Sequence, residues 1–284
     1  MLVRKVMIAR PTGFCSGVER AIRMAKQGKE RYGRVYTLGE LVHNPQVLAE
    51  LEQEGIRAVL RPEDARGGAL VIRAHGCPPH LLRRCERLGI MTIDATCQYV
   101  RKVQNVARRL VEQGYLVIVV GERDHPEVRS ILGCGGRAAK VYSPRMRFVT
   151  STTGRSSGQC IGVVAQTTMS PQRLQEAVAN LSRLRYTELR VFDTICGEVI
   201  SRQKAAAAIA RCTELVIVVG GRNSANTSRL AEIVKAAGKE MIFAERAIDV
   251  PRTALHGRRK VGIVAGSSTP AWVVREVAEF VRNP

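Results

Sequence analysis

The chain has 284 residues, 45% hydrophobic and 25% charged, enough to build the core of one large domain or of two to three small ones. Its 45 Lys and Arg against 25 Asp and Glu give a formal charge of +20, which favours anionic partners, whereas 4% aromatic residues poorly supply the stacking platform single-stranded nucleic acid needs. No run approaches the roughly 18 apolar residues of a membrane span and no signal-peptide core follows Arg4-Lys5, so a cytoplasmic location is expected, with the eight cysteines as ligands and buried thiols rather than disulfides.

In chain order, the apolar run Lys5-Val6-Met7-Ile8-Ala9 leads through Pro11-Thr12-Gly13-Phe14 to Cys15, and the spacing of Val18, Ala21, Ile22 and Ala25 predicts a helix over residues 17–31. A strand ending at Leu38-Gly39 opens a polar turn through His43-Asn44 into a helix over 45–54. Val71-Ile72 runs into Arg73-Ala74-His75-Gly76 and a helix over 79–88. The next apolar run ends in Asp94-Ala95-Thr96-Cys97 before a helix over 98–113. A strand over 115–120 is followed by Gly121-Glu122-Arg123-Asp124-His125-Pro126-Glu127, read as a loop, and by a basic, Gly/Ser-containing connection over 129–155. The strand 160–165 exits through Gln166-Thr167-Thr168 into a helix over 171–184, and Arg190-Val191-Phe192 leads to Asp193-Thr194-Ile195-Cys196 and a helix over 202–211. The last part repeats the scheme: strand 215–219, Gly220-Gly221-Arg222-Asn223-Ser224-Ala225-Asn226, helix 227–237, strand 261–265, Gly266-Ser267-Ser268-Thr269-Pro270 and helix 271–281.

Continuous rather than alternating apolar strands, interleaved with helices, indicate an α/β fold with parallel sheets covered on both faces. The chain also repeats internally. Three units each offer two polar loops and one cysteine at strand ends, with the first strand completing the last unit. The expected lobes are 16–97, 98–196 and 197–284, the last completed by 1–15. Ligands of parallel sheets bind beyond the carboxyl ends of the strands, where the first turns of the following helices favour negative charge. Three lobes facing one another would converge nine loops on one cavity.

Cys15, Cys97 and Cys196 lie 82 and 99 residues apart, far too distant for a zinc finger or a thioredoxin-type pair. Three thiolates on three separate elements suit an iron–sulfur cluster; taken singly, each could equally be a small buried hydrophobe. His43, His75 and His125, with Thr167, Ser224, Asn226 and Ser268, form a donor set suited to phosphate oxygens, where charge-assisted hydrogen bonds contribute roughly 1.5–3 kcal/mol each. A histidine-held zinc ion is the alternative, against which no pair has helical or hairpin ligand spacing. Glu127, if desolvated beside an anionic cluster, would hold a raised pKa and could deliver a proton. His80 and His256 read as surface residues.

Nine co-linear motifs then carry a resemblance that covers essentially the whole chain: Pro11-Thr12-Gly13-Phe14-Cys15-Ser16-Gly17-Val18, Val42-His43-Asn44, Arg73-Ala74-His75-Gly76, Asp94-Ala95-Thr96-Cys97, His125-Pro126-Glu127-Val128, Gln166-Thr167-Thr168, Thr194-Ile195-Cys196, Arg222-Asn223-Ser224-Ala225-Asn226-Thr227 and Ala265-Gly266-Ser267-Ser268-Thr269-Pro270. The sequence resembles the LytB/IspH family of 4-hydroxy-3-methylbut-2-enyl diphosphate reductases. That resemblance implies three α/β lobes with pseudo-threefold symmetry around a [4Fe-4S] cluster held by Cys15, Cys97 and Cys196, with one iron open for the substrate hydroxyl. It implies a diphosphate held by His43, His75, His125, Ser224, Asn226, Ser268 and the backbone at Ala225, Thr167 on the alcohol side with Thr168 as its neighbour in the substrate site, and Glu127 as proton donor. It further implies an acidic electron donor of ferredoxin or flavodoxin type, which the +20 surface would steer.

The chain departs from the family pattern at Thr12, where Arg is usual, at Gln98, where Pro is, and at Gln104, where His is frequent. Glu198-Val199 replaces a common Ala-Thr pair, and Ala271 a common Asp. A diverged relative with the same cluster and another phosphorylated or allylic substrate is therefore the alternative reading, and a basic nucleic-acid-binding protein, supported by charge alone, the third.

Overall fold

The computed structural model describes residues 5–146 and 159–283, so the expected basic connection lies outside the described residues from 147 onward. The chain opens with β1 (Lys5–Ile8) and α1 (Ser16–Tyr32), then β2 (Val35–Leu38), α2 (Pro45–Gln53), β3 (Ile56–Val59), β4 (Ala69–Ile72), α3 (Pro79–Arg87) and β5 (Thr92–Asp94). The order recurs as α4 (Gln98–Glu112), β6 (Leu116–Val120), α5 (Pro126–Gly135), β7 (Ala139–Val141), β8 (Gln159–Ala165), α6 (Pro171–Leu181) and β9 (Tyr186–Phe192). It recurs again as α7 (Gly197–Cys212), β10 (Leu215–Val219), α8 (Ala225–Ala236), β11 (Glu240–Ala244), the one-turn α9 (Arg252–Leu255), β12 (Lys260–Ala265) and α10 (Ala271–Arg282).

The strands form three four-stranded sheets, all parallel, in the orders β3-β2-β4-β5, β7-β6-β8-β9 and β11-β10-β12-β1. The inner strands are the near-continuous apolar runs: β6 and β10 share the sequence Leu-Val-Ile-Val-Val, and every residue of β10 is buried. A strand buried on both faces cannot alternate. Each sheet accordingly separates two apolar clusters, one under each helical layer. Burying a Val, Leu or Ile side chain stabilises by roughly 1.5–3 kcal/mol, so six such clusters hold the three lobes as separate cores.

The path between sheets is set at the cysteines. Cys15 follows β1 of the third sheet, yet α1 packs on the first sheet through Ala21 and Ala25. Cys97 follows β5 of the first sheet and α4 packs on the second through Val103, Ala107 and Leu110. Cys196 follows β9 of the second sheet and α7 packs on the third through Ala206, Ile209 and Ala210.

The expected architecture of small parallel sheets is therefore present, with differences in detail. The loop and connection expected after Asp124 contain α5, so Glu127 sits in a helical first turn rather than in a loop. α7 starts at Gly197, five residues before the expected 202, and β3, β7 and β11 are edge strands that carry no sequence prediction. Among the described residues no helix is long and apolar enough to cross a membrane.

Candidate active site

All three cysteines are helix N-caps: Cys15 of α1, Cys97 of α4 and Cys196 of α7. Each is fixed by the same backbone bond, its N–H donating at 2.9 Å to the carbonyl of the second polar loop of its lobe, at Ser267, Ala74 and Thr167 respectively. The Asp-x-x-Cys repeat has a local cause, because Asp94 accepts from the Thr96 N–H and Asp193 from the Ile195 N–H, turning the chain from strand into helix. Gly17 shows how closely the elements converge: a Cβ there would lie 2.7 Å from the Cys97 Sγ and 3.9 Å from the Cys15 Sγ. Burial pushes all three thiols up, opposed by backbone N–H groups of the helices they cap; the charge of Glu127 adds to the upward shift at Cys97 and Cys196, and that of Glu198 at Cys15 and Cys196. Three soft donors, Cys196 buried and Cys15 and Cys97 half-buried, suit a cationic thiophilic partner that would favour their thiolate forms. The donor chemistry and the side-chain-free space at Gly17 fit an iron–sulfur group.

Glu127 is 1% exposed. Its Oε1 accepts from the Thr167 N–H at 2.7 Å and its Oε2 from the Thr167 hydroxyl at 2.8 Å. Burial raises its pKa to about 7, against the lowering effect of those two bonds. The helix dipole of α5 acts in the same direction as the bonds, so burial is the dominant effect. The group is half-protonated near neutrality, as a proton donor requires.

A cavity of about 40 Å³ lies between the loops of all three lobes, lined by His43, His75, His125, Thr168, Ser224, Ala225, Asn226 and Ser268 among others. Eight of the expected ligand-binding residues thus meet on one wall, while Thr167 stands behind it with Glu127. His43 and His75 stack at 4.7 Å, and His125 meets them edge-on at 6.0 and 5.3 Å. His43 Nε2, His75 Nδ1 and both side-chain polar atoms of Asn226 are buried without a partner. Such atoms are costly to bury. They are the expected surface of a site that binds a polar ligand. Burial with the neighbouring imidazoles and Arg73 holds His75 well below its ordinary pKa, and burial with His43 and Arg73 holds His125 at about 4. The cavity is therefore neutral on these rings and gains positive charge when an anion restores it. The three rings also bring one nitrogen each within 4.8 Å of one another, but the Ser224 and Ser268 hydroxyls and the first turn of α8 are donors that serve an anion and not a cation.

Sequence position and spatial role differ in one place. Counting from the glycines aligns His43 with His125 and Ser224; in the structure the caps are Asn44, His125 and Ser224, so His43 stands one residue before its helix cap and reaches the cavity from there.

Arg202 carries no expectation from the sequence. It is 3% exposed and donates to the carbonyls of Pro11 at 3.1 Å and Gly13 at 2.9 Å, clamping the loop before Cys15, whose thiol its charge draws downward. The available signal is a lone arginine on the buried face of an alanine-rich helix. Of the departures, Gln104 is buried and bonded to the Ser130 Oγ, tying α4 to α5 behind His75-Gly76. Val199 is buried, Glu198 accepts from the Ser16 hydroxyl at 2.5 Å, and Thr12, Gln98 and Ala271 are exposed.

Residues 6–282 match the family described as LytB protein. The chain is 37% identical over 287 residues to the 4-hydroxy-3-methylbut-2-enyl diphosphate reductase of Geobacter metallireducens, covering 98% of this chain and 97% of that one. It is 35% identical to the protein of the same name from Aquifex aeolicus, over 98% and 96%. A solved (E)-4-hydroxy-3-methyl-but-2-enyl diphosphate reductase, described as the terminal enzyme of the non-mevalonate pathway, superposes over 100% of both chains at 32% identity with a TM-score of 0.69. The Plasmodium falciparum reductase shares the fold at a TM-score of 0.89 and 24% identity, over 98% of this chain and 87% of that one.

Proposed function

The chain belongs to the LytB family, and from that premise we propose that it is a 4-hydroxy-3-methylbut-2-enyl diphosphate reductase, the terminal enzyme of the non-mevalonate pathway, producing isopentenyl and dimethylallyl diphosphate in the cytoplasm. The reaction breaks the allylic C–O bond and forms a C–H bond, consuming two electrons and two protons and releasing water. Cys15, Cys97 and Cys196 would hold a [4Fe-4S] cluster, which when bound would supply the electrons one at a time and Lewis acidity toward the substrate hydroxyl. Each cysteine ends one lobe and the next begins beyond it, at 16–97, 98–196 and 197–284 with 1–15, so all three lobes would contribute a ligand to the cofactor.

The remaining work falls to side chains. His43, His75, His125, Ser224, Asn226, Ser268 and the N–H at Ala225 bind the diphosphate, and because burial lowers the pKa of His75 and His125, an arriving anion raises their proton affinity. Thr168 lines the same wall and Thr167 the alcohol side. Glu127 supplies the proton that leaves with the hydroxyl as water: protonated at Oε2 it donates to the Thr167 hydroxyl, which turns its own hydrogen toward the departing oxygen, and the second proton, which completes the C–H bond, is drawn ultimately from solvent. The electrons come from an acidic carrier of ferredoxin or flavodoxin type.

The observation that carries this reading is the Glu127–Thr167 pair, a fully buried acid bonded twice to Thr167, whose charge acts on two of the three thiols. The test is anaerobic turnover by the iron-loaded protein with reduced methyl viologen and 4-hydroxy-3-methylbut-2-enyl diphosphate. Formation of the two C5 diphosphates is expected; an intact cluster with no product would remove this substrate.

A further inference from the structure

An open groove of about 830 Å³ runs between the N-terminal half of α1 and the length of α4 and includes none of the residues assigned to the diphosphate. Arg20 and Arg23 line one wall, and Arg101, Lys102 and Arg109 the other, against the single acid Glu19. Its floor is Gly17 and Thr96, the neighbours of Cys15 and Cys97. Because Gly17 has no side chain where a Cβ would lie 2.7 Å from the Cys97 Sγ, the floor is one backbone thick above two of the three thiols.

Charge distinguishes this groove from its counterpart. Along α7, the third cysteine-capped helix, the neighbouring groove of about 420 Å³ has its arginines neutralised, Arg173 and Arg229 both pairing with Glu232. In the α1/α4 groove Arg101 pairs with Asp94 and Arg20 donates to the Thr96 carbonyl, while Arg23, Lys102 and Arg109 have no ion-pair partner among the described residues. Unpaired like charges crowded into a concavity repel one another and concentrate the field there. Such an arrangement is useful to a protein only when an anionic surface fills it.

We propose that the α1/α4 groove is the docking surface for a small acidic one-electron carrier protein, which seats on Arg23, Lys102 and Arg109 and delivers electrons across Gly17. The proposal rests on the reductase reading, since only a redox centre behind Cys15 and Cys97 gives the carrier a destination. Each encounter oxidises one reduced carrier and passes one electron inward, so two encounters supply one turnover. Electron-transfer interfaces are small and electrostatically steered, and their partners must separate between electrons.

The test uses the iron-loaded enzyme and a reduced, acidic [2Fe-2S] ferredoxin as probe, with reduced methyl viologen as the alternative donor. The double variant Arg23→Glu with Lys102→Glu is compared with Arg275→Glu with Arg282→Glu, an equal charge change on exposed positions of α10. The groove variant should raise the ferredoxin KM at least tenfold and flatten its salt dependence, leave viologen-driven turnover within twofold, and weaken binding of dye-labelled ferredoxin in anisotropy titrations; Arg23→Lys with Lys102→Arg should behave as the unaltered protein. An unchanged KM, an equal rise in the α10 variant, or a parallel loss of viologen-driven turnover would overturn the proposal. Absence of viologen-driven turnover in the unaltered enzyme would instead remove the reductase reading, and the anisotropy titration would still report whether the groove binds the carrier.

Discussion

Thr167 donates twice to Glu127, once from its backbone and once from its side chain, at 2.7 and 2.8 Å, so one residue addresses both oxygens of a fully buried carboxylate. The hydroxyl can reverse its role when the acid is protonated; the N–H cannot. The carboxyl proton therefore resides on the oxygen facing the Thr167 hydroxyl.

Glu127→Gln keeps this geometry, with the amide donating to the Thr167 hydroxyl, but has no proton to give. Turnover should fall by about 10²-fold or more, with iron content and diphosphate affinity retained. Stability should move the other way. A folded pKa of about 7 against the ordinary 4.5 means the native state holds the proton more tightly. Its stabilising contribution is complete below 4.5 and lost as pH rises through 7. The introduced amide mimics the protonated acid, so the variant should match the unaltered protein at pH 5 and exceed it at pH 8, by up to about 3 kcal/mol for a shift of this size. Paired thermal melts at the two pH values read this directly; equal melting differences would contradict the raised pKa.

Thr167→Val leaves one carboxylate oxygen buried without a partner, a loss of about 1–3 kcal/mol, and interrupts the proton path. Both stability and turnover should drop, and Thr167→Ser should restore turnover. If the serine variant is as inactive as the valine variant, the hydroxyl is not the relay.

Replacing Cys15, Cys97 or Cys196 with Ser should sharply lower iron content after anaerobic reconstitution. The same change at Cys77, Cys85, Cys134, Cys160 or Cys212 should not. Colorimetric iron assay on all eight variants decides; equal losses in both sets would undo the ligand assignment.

The histidines make diphosphate binding proton-linked. His125 is held at about 4 against an ordinary 6.5, so it stabilises the fold above 6.5 and that contribution is lost as pH falls toward 4. A bound anion favours the charged ring, so inorganic pyrophosphate should bind with proton uptake at pH 6 and more weakly as pH rises to 8. Calorimetry in two buffers of different ionisation enthalpy measures the uptake; none would place the pyrophosphate away from these rings.

Arg202→Met removes the donor to the Pro11 and Gly13 carbonyls. Hydrogen bonds to charged groups contribute about 1.5–3 kcal/mol each, so a lower melting temperature and weaker iron retention at the Cys15 end are expected together. Full iron retention would show that the loop is held by other contacts.

The three strand-to-helix cysteines, the two polar loops per lobe and the apolar inner strands can be read from residue order because local rules set them. What cannot be read is decided by packing. α5 is hidden by Gly133, Gly135 and Gly136, which read as a linker, yet a Cβ at Gly133 would meet Pro78 within 2.8–3.1 Å and one at Gly135 would meet Ala139 at 2.5 Å. Gly133 and Gly135 admit neighbours within the helix, whereas Gly136, at φ +56°, ends it. The edge strand β3, Ile56-Arg57-Ala58-Val59, carries a charge and lacks the run of its inner neighbours. The convergence of His43, His75 and His125 follows from the repeat of polar loops at strand ends, but the stacking of His43 on His75 joins loops of one lobe to His125 of another and is set by packing.

Val6 of β1 lies opposite Val261 of β12. Among the described residues β1 thus has its sheet neighbour far later in the chain, with two other sheets lying between them in sequence. Domains generally fold as units during synthesis, so the first and second lobes can close before β1 finds its place, and the loop carrying Cys15 is fixed only once β12 has emerged.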